Sequence, residues 1–448
     1  MNRTSFCDGV SRRSFLRVGM AGGLGFGMSL PGLLAAEARA ARAPKDQVSV
    51  IYLFLKGGLS TIDTFDLKPN APSEIRGDFK PISTNVSGIQ VGEHIPLIAQ
   101  QMDKFSLIRS FAHGNSNHGQ ADHYMLTGYL PRAGFNPGLT PNNQFPAHGS
   151  VIARKLGPRL GDSSAGAVPP YVCVPKMHAS SGSAYLGPAS APFVIEADPS
   201  APGFTVPDLV PPLMLEADRL DARRALLGQV DRFQRAAERE ANQSARTVSV
   251  FREKAFSMMT SPEAKAAFDI AAESDAMRDR YGRNTLGQSC LMARRLVEAG
   301  VRCVTINHSN WDTHDNNFNI LKNELLPSLN SGMSALFSDL SERGLLERTL
   351  VIVTGEFGRT PRINKNAGRD HWGPSFTVML GGGGIQGGRV IGASDERAER
   401  PATDPHGPED LAATMYQLLG INYNEEFRTP EGRPMKIVNE GKVIWDLL

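Results

Sequence analysis

The stretch Thr349–Trp372, TLVIVTGEFGRTPRINKNAGRDHW, decides the fold that we predict for this chain. It opens with Leu350–Val353, a continuous apolar run typical of a strand covered on both faces in a parallel sheet. Glu356 and Arg359 follow at once. Because open α/β sheets bind ligands beyond the carboxyl ends of their strands, this position favours a functional site. The structural alternative is a surface ion pair between these two residues.

Composition is ordinary for a soluble globular protein. Of the 448 residues, 21% are charged and 41% are hydrophobic. The 48 basic and 46 acidic residues leave a formal net charge of +2, so electrostatics give no reason to expect a nucleic-acid partner. Four cysteines, one of them near the N-terminus, do not form a disulfide framework or a metal-binding spacing.

The N-terminus resembles a twin-arginine export signal. Ser11–Leu16 reads SRRSFL, and a weakly apolar, glycine-rich segment with A-x-A cleavage sites follows it. A membrane anchor is the alternative, but Pro31 and the glycines suit a spanning helix poorly. We therefore predict a signal peptide over 1–43, a mature domain over 44–448, export to the periplasm or the cell exterior, and no stable membrane span after cleavage.

Apolar runs that end in polar loops recur along the mature chain. The predicted strands besides the opening one are Val48–Leu55, Phe105–Arg109, Tyr171–Val174, Val301–Ile306 and Phe376–Leu380. Helical periodicity is found over Leu286–Ala299, Phe318–Leu340 and Glu409–Leu419. This alternation predicts an α/β fold with a mostly parallel central sheet flanked by helices. Residues 136–285 are interpreted as an insertion or lid followed by a helical segment.

Carboxylates and histidines gather in the loops after these strands. Asp63 follows the first strand, His118 and His123 follow the second, and Asp312 and His314 follow VRCVTI. Neutral imidazole is the commonest metal ligand, and carboxylates bind hard or borderline ions. Each residue also has a structural alternative, such as an Asx turn or a hydrogen-bonded histidine.

The end of the opening stretch adds a further acid and histidine, Asp370 and His371, for which a capped turn is the structural alternative. Together these acids and histidines would hold one or two divalent metal ions. The candidate metals are zinc, manganese and calcium. The predicted metal ligands are Asp63, His123, Asp312, His314, Glu356, Asp370 and His371.

Five motifs spread over nearly the whole mature chain carry a family resemblance. They are GGLSTIDTFDLKP, HYMLTG, WDTHDNNF, GEFGRTPRINKNAGRDHW and DLAATMYQLLG. They resemble the DUF1501 family of exported bacterial proteins, which is placed in the alkaline phosphatase and sulfatase superfamily. The resemblance implies an alkaline phosphatase-like fold, but it implies no activity because the family is named for its unknown function.

The superfamily resemblance also indicates that the usual nucleophile and one usual metal ligand are replaced in this chain. The Leu126–Gly128 tripeptide resembles the end of the sulfatase nucleophile segment, and that register places His118 where a Cys or Ser nucleophile stands. Glu356 and Phe357 stand where these enzymes carry Asp-His, so the resemblance implies that Glu356 keeps a ligand role and Phe357 loses it.

Two functions of different classes follow. The first is an exported hydrolase of phosphate or sulfate esters, in which the metal generates hydroxide as the nucleophile. His118 and Arg359 are its predicted catalytic residues, with Arg359 stabilising transition-state charge. Its substrate would be a phosphorylated or sulfated small molecule or glycan. The alternative is a non-catalytic protein that binds a glycan or a partner protein, which the missing nucleophile favours.

Overall fold

The computed structural model describes residues 48–157, 168–206 and 261–448. These residues belong to the second of the two units into which the chain divides, Asp46–Leu448. The predicted signal peptide and residues 213–260 of the predicted helical segment lie outside the described residues. None of the described helices combines the length and hydropathy needed to cross a lipid bilayer.

Strands and α-helices of the described residues are as follows. The strands are β1 (Ser49–Leu55), β2 (Pro81–Ser83), β3 (Gln90–Gly92), β4 (Phe105–Phe111), β5 (Tyr171–Val174), β6 (Phe193–Val194), β7 (Cys303–His308), β8 (Thr349–Thr354), β9 (Gly358–Arg359), β10 (His371–Trp372), β11 (Phe376–Gly381), β12 (Val390–Ile391), β13 (Glu426–Arg428) and β14 (Pro434–Lys436). The helices are α1 (Ser73–Arg76), α2 (Pro96–Ala99), α3 (His118–Thr127), α4 (His148–Leu156), α5 (Pro262–Phe268), α6 (Asp275–Tyr281), α7 (Thr285–Glu298), α8 (Asn317–Ile320), α9 (Leu326–Glu342) and α10 (Pro408–Leu418).

An eight-stranded sheet forms the centre of the described fold, in the order β12-β4-β11-β8-β1-β7-β5-β6. Its neighbouring strands are parallel except at β11, which runs antiparallel to both β8 and β4. The predicted α/β fold with a mostly parallel sheet is therefore confirmed. β5 and β6 extend one edge of this sheet, so part of the 136–285 segment is built into the sheet rather than inserted beside it.

The central strand β1 is buried on both faces, as its unbroken apolar sequence predicts. Leu53 and Leu55 pack in one core with residues of α7 and α9, whereas Tyr52 and Phe54 pack in a second core with residues of α4 and α10. The sheet is therefore the middle layer of three, with a helical layer on each face.

The helix predicted over Phe318–Leu340 is interrupted before Pro327. A π-helical turn over Leu321–Leu325 separates α8 from α9. Proline lacks an N–H, and its ring crowds the carbonyl four residues earlier, which here belongs to Asn323. A wider turn at that point relieves the crowding and lets the helix continue.

The parallel pairing brings several connections to one edge of the sheet. β1, β4, β7 and β8 end at this edge, and the antiparallel strand β11 begins there. The loops after these four strands and the segment before β11 therefore face one another. This edge carries the site described below.

Candidate metal-binding active site

Three connections at this edge, those that follow β4, β7 and β8, supply the polar side chains of the site. The loop after β7 carries Asp312 and His314, and α3 begins with His118 after β4. Glu356 follows β8 directly, and β10, which pairs with β9, carries His371. These residues are far apart in the chain, but the sheet topology brings them together.

Three histidines direct their Nε2 atoms at the carboxylate of Asp312. His118 Nε2 lies 3.1 Å from Oδ2, while the Nε2 atoms of His314 and His371 lie 3.0 and 3.1 Å from Oδ1. The latter two nitrogen atoms are only 2.9 Å apart. Because at most one hydrogen fits between them, at least one of these two rings presents a lone pair to the cluster.

The opposite nitrogen of each ring, Nδ1, is held by an oxygen acceptor. The pairs are His118 with Glu356 Oε1 at 2.6 Å, His314 with Asp370 Oδ1 at 2.8 Å and His371 with the Ser116 carbonyl at 3.0 Å. An acceptor there places the hydrogen on Nδ1 and leaves the Nε2 lone pair of the neutral ring free. Metal-ligating histidines show the same pattern.

Hydrogen bonding sets the charges in the cluster. Burial lowers the pKa of His118, but its hydrogen bonds to Asp312 and Glu356 outweigh this effect and raise the pKa to about 9. Burial also raises the pKa of Asp312, yet hydrogen bonds from His118, His371 and Arg359 bring it far below its ordinary value. In the absence of a metal, the cluster therefore holds an ionised Asp312 and a protonated His118.

Glu356 lies behind the converging nitrogen atoms rather than among them. Its carboxylate is fully buried, and its two oxygens accept the Gly57 N–H at 2.9 and 3.0 Å. Burial raises the pKa of Glu356, Asp122 raises it further, and the hydrogen bond to His118 opposes both effects. These contacts make Glu356 an anchor for the His118 ring in place of the predicted metal-ligand role. Asp370 likewise holds the His314 ring at Nδ1 and is an anchor for that ring.

Gly57, two residues after the end of β1, is required for this arrangement. Its φ is +117°, and a Cβ atom there would overlap the backbone of Trp311 and Asp312. Only glycine lets the end of β1 pack so closely against the segment that carries the central carboxylate. The signal in the sequence is the Lys56-Gly57-Gly58 run directly after the strand.

Arg359 is buried and makes its contacts inside the protein. Its Nε donates to the Gly58 carbonyl at 3.0 Å, its Nη1 donates to the Arg369 carbonyl at 3.1 Å, and its Nη2 donates to the carboxylate of Asp312. All three nitrogen atoms of the guanidinium are thus engaged. These contacts argue against the predicted stabilisation of transition-state charge and make Arg359 a positioning residue for Asp312.

Two predicted metal ligands, Asp63 and His123, belong to other hydrogen-bonded groups. The oxygens of Asp63 pair with buried Arg369 at 2.7 and 2.8 Å. His123 Nδ1 bonds the Tyr129 carbonyl at 2.9 Å, its Nε2 accepts the Gln144 N–H at 3.2 Å, and burial lowers the pKa of His123 to about 4. Both side chains are saturated by these contacts, which replace the predicted ligand roles with structural ones.

The innermost donor set fits a divalent transition-metal ion. Asp312 Oδ1, His314 Nε2 and His371 Nε2 form a triangle with sides of 2.9 to 3.1 Å. Ligand atoms around a tetrahedral zinc ion, with bonds of roughly 2.0–2.1 Å, stand about 3.3 Å apart. An overlapping set, His118, Asp312 and His371, keeps its ligand atoms within 4.8 Å of one another. Asp312 and His314 are 40% and 39% exposed, so the cluster is open to solvent.

The sequence from residue 47 to residue 448 matches the family described as "Protein of unknown function (DUF1501)". The chain belongs to the DUF1501 family. The resemblance drawn from the five motifs is thereby confirmed. No curated protein matches this DUF1501 chain.

Solved structures similar to this DUF1501 protein include two distant ones. The PsFucS1 sulfatase from Pseudoalteromonas sp. is 13% identical, with 87% of this chain and 70% of that chain covered at a TM-score of 0.38. The lipoteichoic acid synthase LtaP from Listeria monocytogenes is 9% identical, with 91% and 80% covered at a TM-score of 0.38. Likenesses this distant assign no activity to the DUF1501 chain.

Proposed function

We propose that this DUF1501 protein is a metal-dependent hydrolase of phosphate or sulfate esters. The observation that carries the proposal is the convergence of three histidine Nε2 atoms on one carboxylate, with each ring held at Nδ1 by an oxygen acceptor. The cluster is solvent-accessible and lies beyond the carboxyl ends of parallel strands, which is where α/β proteins bind their substrates.

In this proposal, His314, His371 and Asp312 hold the ion because their three ligand atoms form the tightest group. Of the three candidate metals we propose zinc. Calcium takes oxygen ligands almost alone, whereas imidazole suits zinc and other late transition metals. The bound ion would polarise the ester and lower the pKa of a water molecule.

The remaining polar side chains then have distinct tasks. Within the described part of the chain, no serine, threonine or cysteine side chain hydrogen-bonds to Asp312, His314 or His371, which favours water as the nucleophile. His118 lies between buried Glu356 and Asp312 Oδ2, so its ring orientation is fixed, and 32% of its side chain is exposed. We assign it the transfer of a proton to the leaving oxygen as the ester bond breaks.

Export through the twin-arginine route is part of the proposal. The family match begins at residue 47, just after the predicted end of the signal peptide at residue 43. Fractionation of expressing cells, with N-terminal sequencing of the exported chain, tests this assignment. Replacing Arg12 and Arg13 by lysine should keep the chain inside the cell with its N-terminal segment uncleaved.

Metal analysis of the purified protein tests the core of the proposal. We expect about one equivalent of zinc in the wild type and in His94→Ala, a control outside the cluster, and little in His314→Ala or His371→Ala. Turnover of a panel of aryl phosphates, phosphodiesters and aryl sulfates should follow the metal content. Equal metal content in all four proteins would refute the site, and bound metal without turnover of any ester would favour the non-catalytic alternative.

The role of His118 needs a separate variant, His118→Gln. A proton donor is needed most when the leaving alcohol is poor. The variant should therefore keep its metal and lose far more activity on an alkyl ester than on a 4-nitrophenyl ester. Loss of the metal in this variant would instead make His118 a ligand.

A further inference from the structure

A cavity of about 590 Å³ continues along the same edge of the sheet. Its volume lies within the roughly 300–1,000 Å³ of small-molecule sites. The segments that follow β5, β6 and β7 contribute most of its lining. The lining residues that matter here are Lys176, Met177, Glu196, Asp198, His308 and Asn310.

The cavity adjoins the candidate metal site through the chain itself. The stretch from His308 to Asn310 lines the cavity, and Asp312 stands two residues further on. Two residues span at most about 7 Å, so the α-carbons of Asn310 and Asp312 are no further apart than this. The Trp311 indole donates to His308 Nδ1 at 3.0 Å and holds this stretch in place.

The lining is polar without an excess of positive charge. Eight of its twelve residues are polar or charged. Among them are one lysine, Lys176, and two carboxylates, Glu196 and Asp198. Burial lowers the pKa of His308 to about 4, so its ring adds no charge near neutral pH. A second phosphate or sulfate group would find little attraction here, whereas an uncharged group with many hydroxyls would find donors and acceptors.

Several of these groups are available to a ligand. Lys176 and Glu196 make no hydrogen bond or ion pair in residues 48–157, 168–206 and 261–448. The indole N–H of Trp311 only donates, so His308 Nδ1 accepts and its hydrogen is on Nε2, for which these ranges offer no acceptor. Asn310 has a φ of +80°, a strained value for a residue with a side chain.

We propose that the cavity binds the saccharide part of the ester, with the ester group held at the metal site. The inference rests on the proposed function and names its substrate class as sulfated or phosphorylated sugars. Carboxylate and amide groups pair with adjacent sugar hydroxyls, and Met177 offers apolar surface to the C–H face of a ring.

Two variants test the cavity without disturbing the fold. Glu196→Gln removes an exposed charge, and Asn310→Gly removes an amide while accepting the positive φ. Glu347→Gln, an exposed residue elsewhere, is the matched control. The measurement is kcat/KM for galactose 6-sulfate and glucose 6-phosphate, each divided by kcat/KM for the corresponding 4-nitrophenyl ester. The larger of the two sugar-to-aryl ratios should fall roughly ten-fold in Glu196→Gln, which removes the charge from a hydrogen bond to a sugar hydroxyl. It should fall less in Asn310→Gly, which removes a neutral hydrogen bond, and stay constant in the control.

A binding experiment separates this inference from the proposed function. Saturation-transfer NMR with methyl β-galactoside, methyl α-glucoside and N-acetylglucosamine should show contact with the wild type and a weaker signal with both cavity variants. Sugar binding without turnover of any ester would keep the cavity proposal and overturn the hydrolase. Turnover of aryl esters with no sugar binding, or with unchanged ratios in the variants, would overturn the cavity proposal alone.

Discussion

Asp312 and Asp63 follow strands β7 and β1 at the same edge of the sheet, but they have opposite environments. Asp63 is buried, and both of its oxygens pair with buried Arg369. Asp312 is 40% exposed and receives three imidazole rings besides Arg359. A guanidinium cannot give up its proton to admit a metal ion, whereas an imidazole can. The partners of a carboxylate, more than the carboxylate itself, therefore decide whether it serves the fold or binds an ion.

The largest expected effect is on the stability of Asp63→Asn. The substitution leaves the Arg369 guanidinium buried without its counter-charge, which costs about 3–5 kcal/mol in the free energy of unfolding. Urea denaturation measures the loss, and the folded fraction should keep its metal content. A loss below about 1 kcal/mol would contradict the distinction between the two carboxylates.

For Asp312→Asn we expect a large loss of metal affinity and a smaller loss of stability. This variant loses an ionised ligand, so metal affinity should fall by more than the roughly 10–100-fold typical of losing a group that only supports a ligand. Its stability without metal should fall less than that of Asp63→Asn, because Asp312 is 40% exposed and its ion pair with Arg359 is partly solvated, whereas Asp63 and Arg369 are both fully buried. Competition with a zinc chelator measures the affinity. Unchanged affinity would remove Asp312 from the centre of the site.

A smaller effect sharpens the role of the oxygen acceptors at Nδ1. In Asp370→Asn, the amide holds His314 less firmly than the carboxylate does, and we expect metal affinity to fall roughly 10–100-fold. The same chelator competition checks the value, with Asp404→Asn, an exposed residue outside the cluster, as the control. A fall as large as in Asp312→Asn would make Asp370 a direct ligand.

The last expected effect appears only at acid pH and concerns a histidine that serves the fold. His148 is buried between the Tyr416 hydroxyl and the Met125 carbonyl, and burial lowers the pKa of His148 to about 4. The unfolded chain binds this proton near pH 6.5, so stability is full above that pH and declines as pH falls toward 4, by about 1.4 kcal/mol per unit within the window.

Substituting His148→Gln removes this titration while keeping a hydrogen-bond donor. Thermal unfolding of metal-free protein between pH 7 and pH 4.5 should show a shallower loss of Tm in the variant than in the wild type. Parallel curves for the two proteins would show that His148 is protonated equally in the folded and unfolded chains.

The sequence was sufficient to predict which edge of the sheet carries the site, but it was not sufficient to predict the role of each side chain there. Strands such as β1 and β8 are continuous apolar runs, so their burial and the loops that follow them were predictable. Asp312, His314 and His371 were identified because each follows such a strand or closes the same motif. The fold itself was therefore within reach of the sequence pattern.

Individual roles were not predictable because they depend on partners distant in the chain. Asp63 and Arg369 are 306 positions apart in the chain, and no motif near either residue predicts their contact. His123 appeared equivalent to His118, but only the described contacts show that both of its ring nitrogens bond backbone groups. Whether all the hydrogen-bonding atoms of a side chain already have partners depends on the packed structure. Local residue types and spacing do not determine it.

β11, the strand that runs antiparallel to its neighbours in the eight-stranded sheet of the described residues, has a consequence for how this fold can vary. Because β8 ends and β11 begins at the same edge, the chain leaves and re-enters the sheet on one side, and residues 355–375 form a closed excursion above neighbouring strands. This one connection supplies Glu356 and His371 to the site and also supplies Arg359 and Arg369 to buried contacts with the rest of the fold. A change in residues 355–375 therefore alters the site and the packing beneath it together.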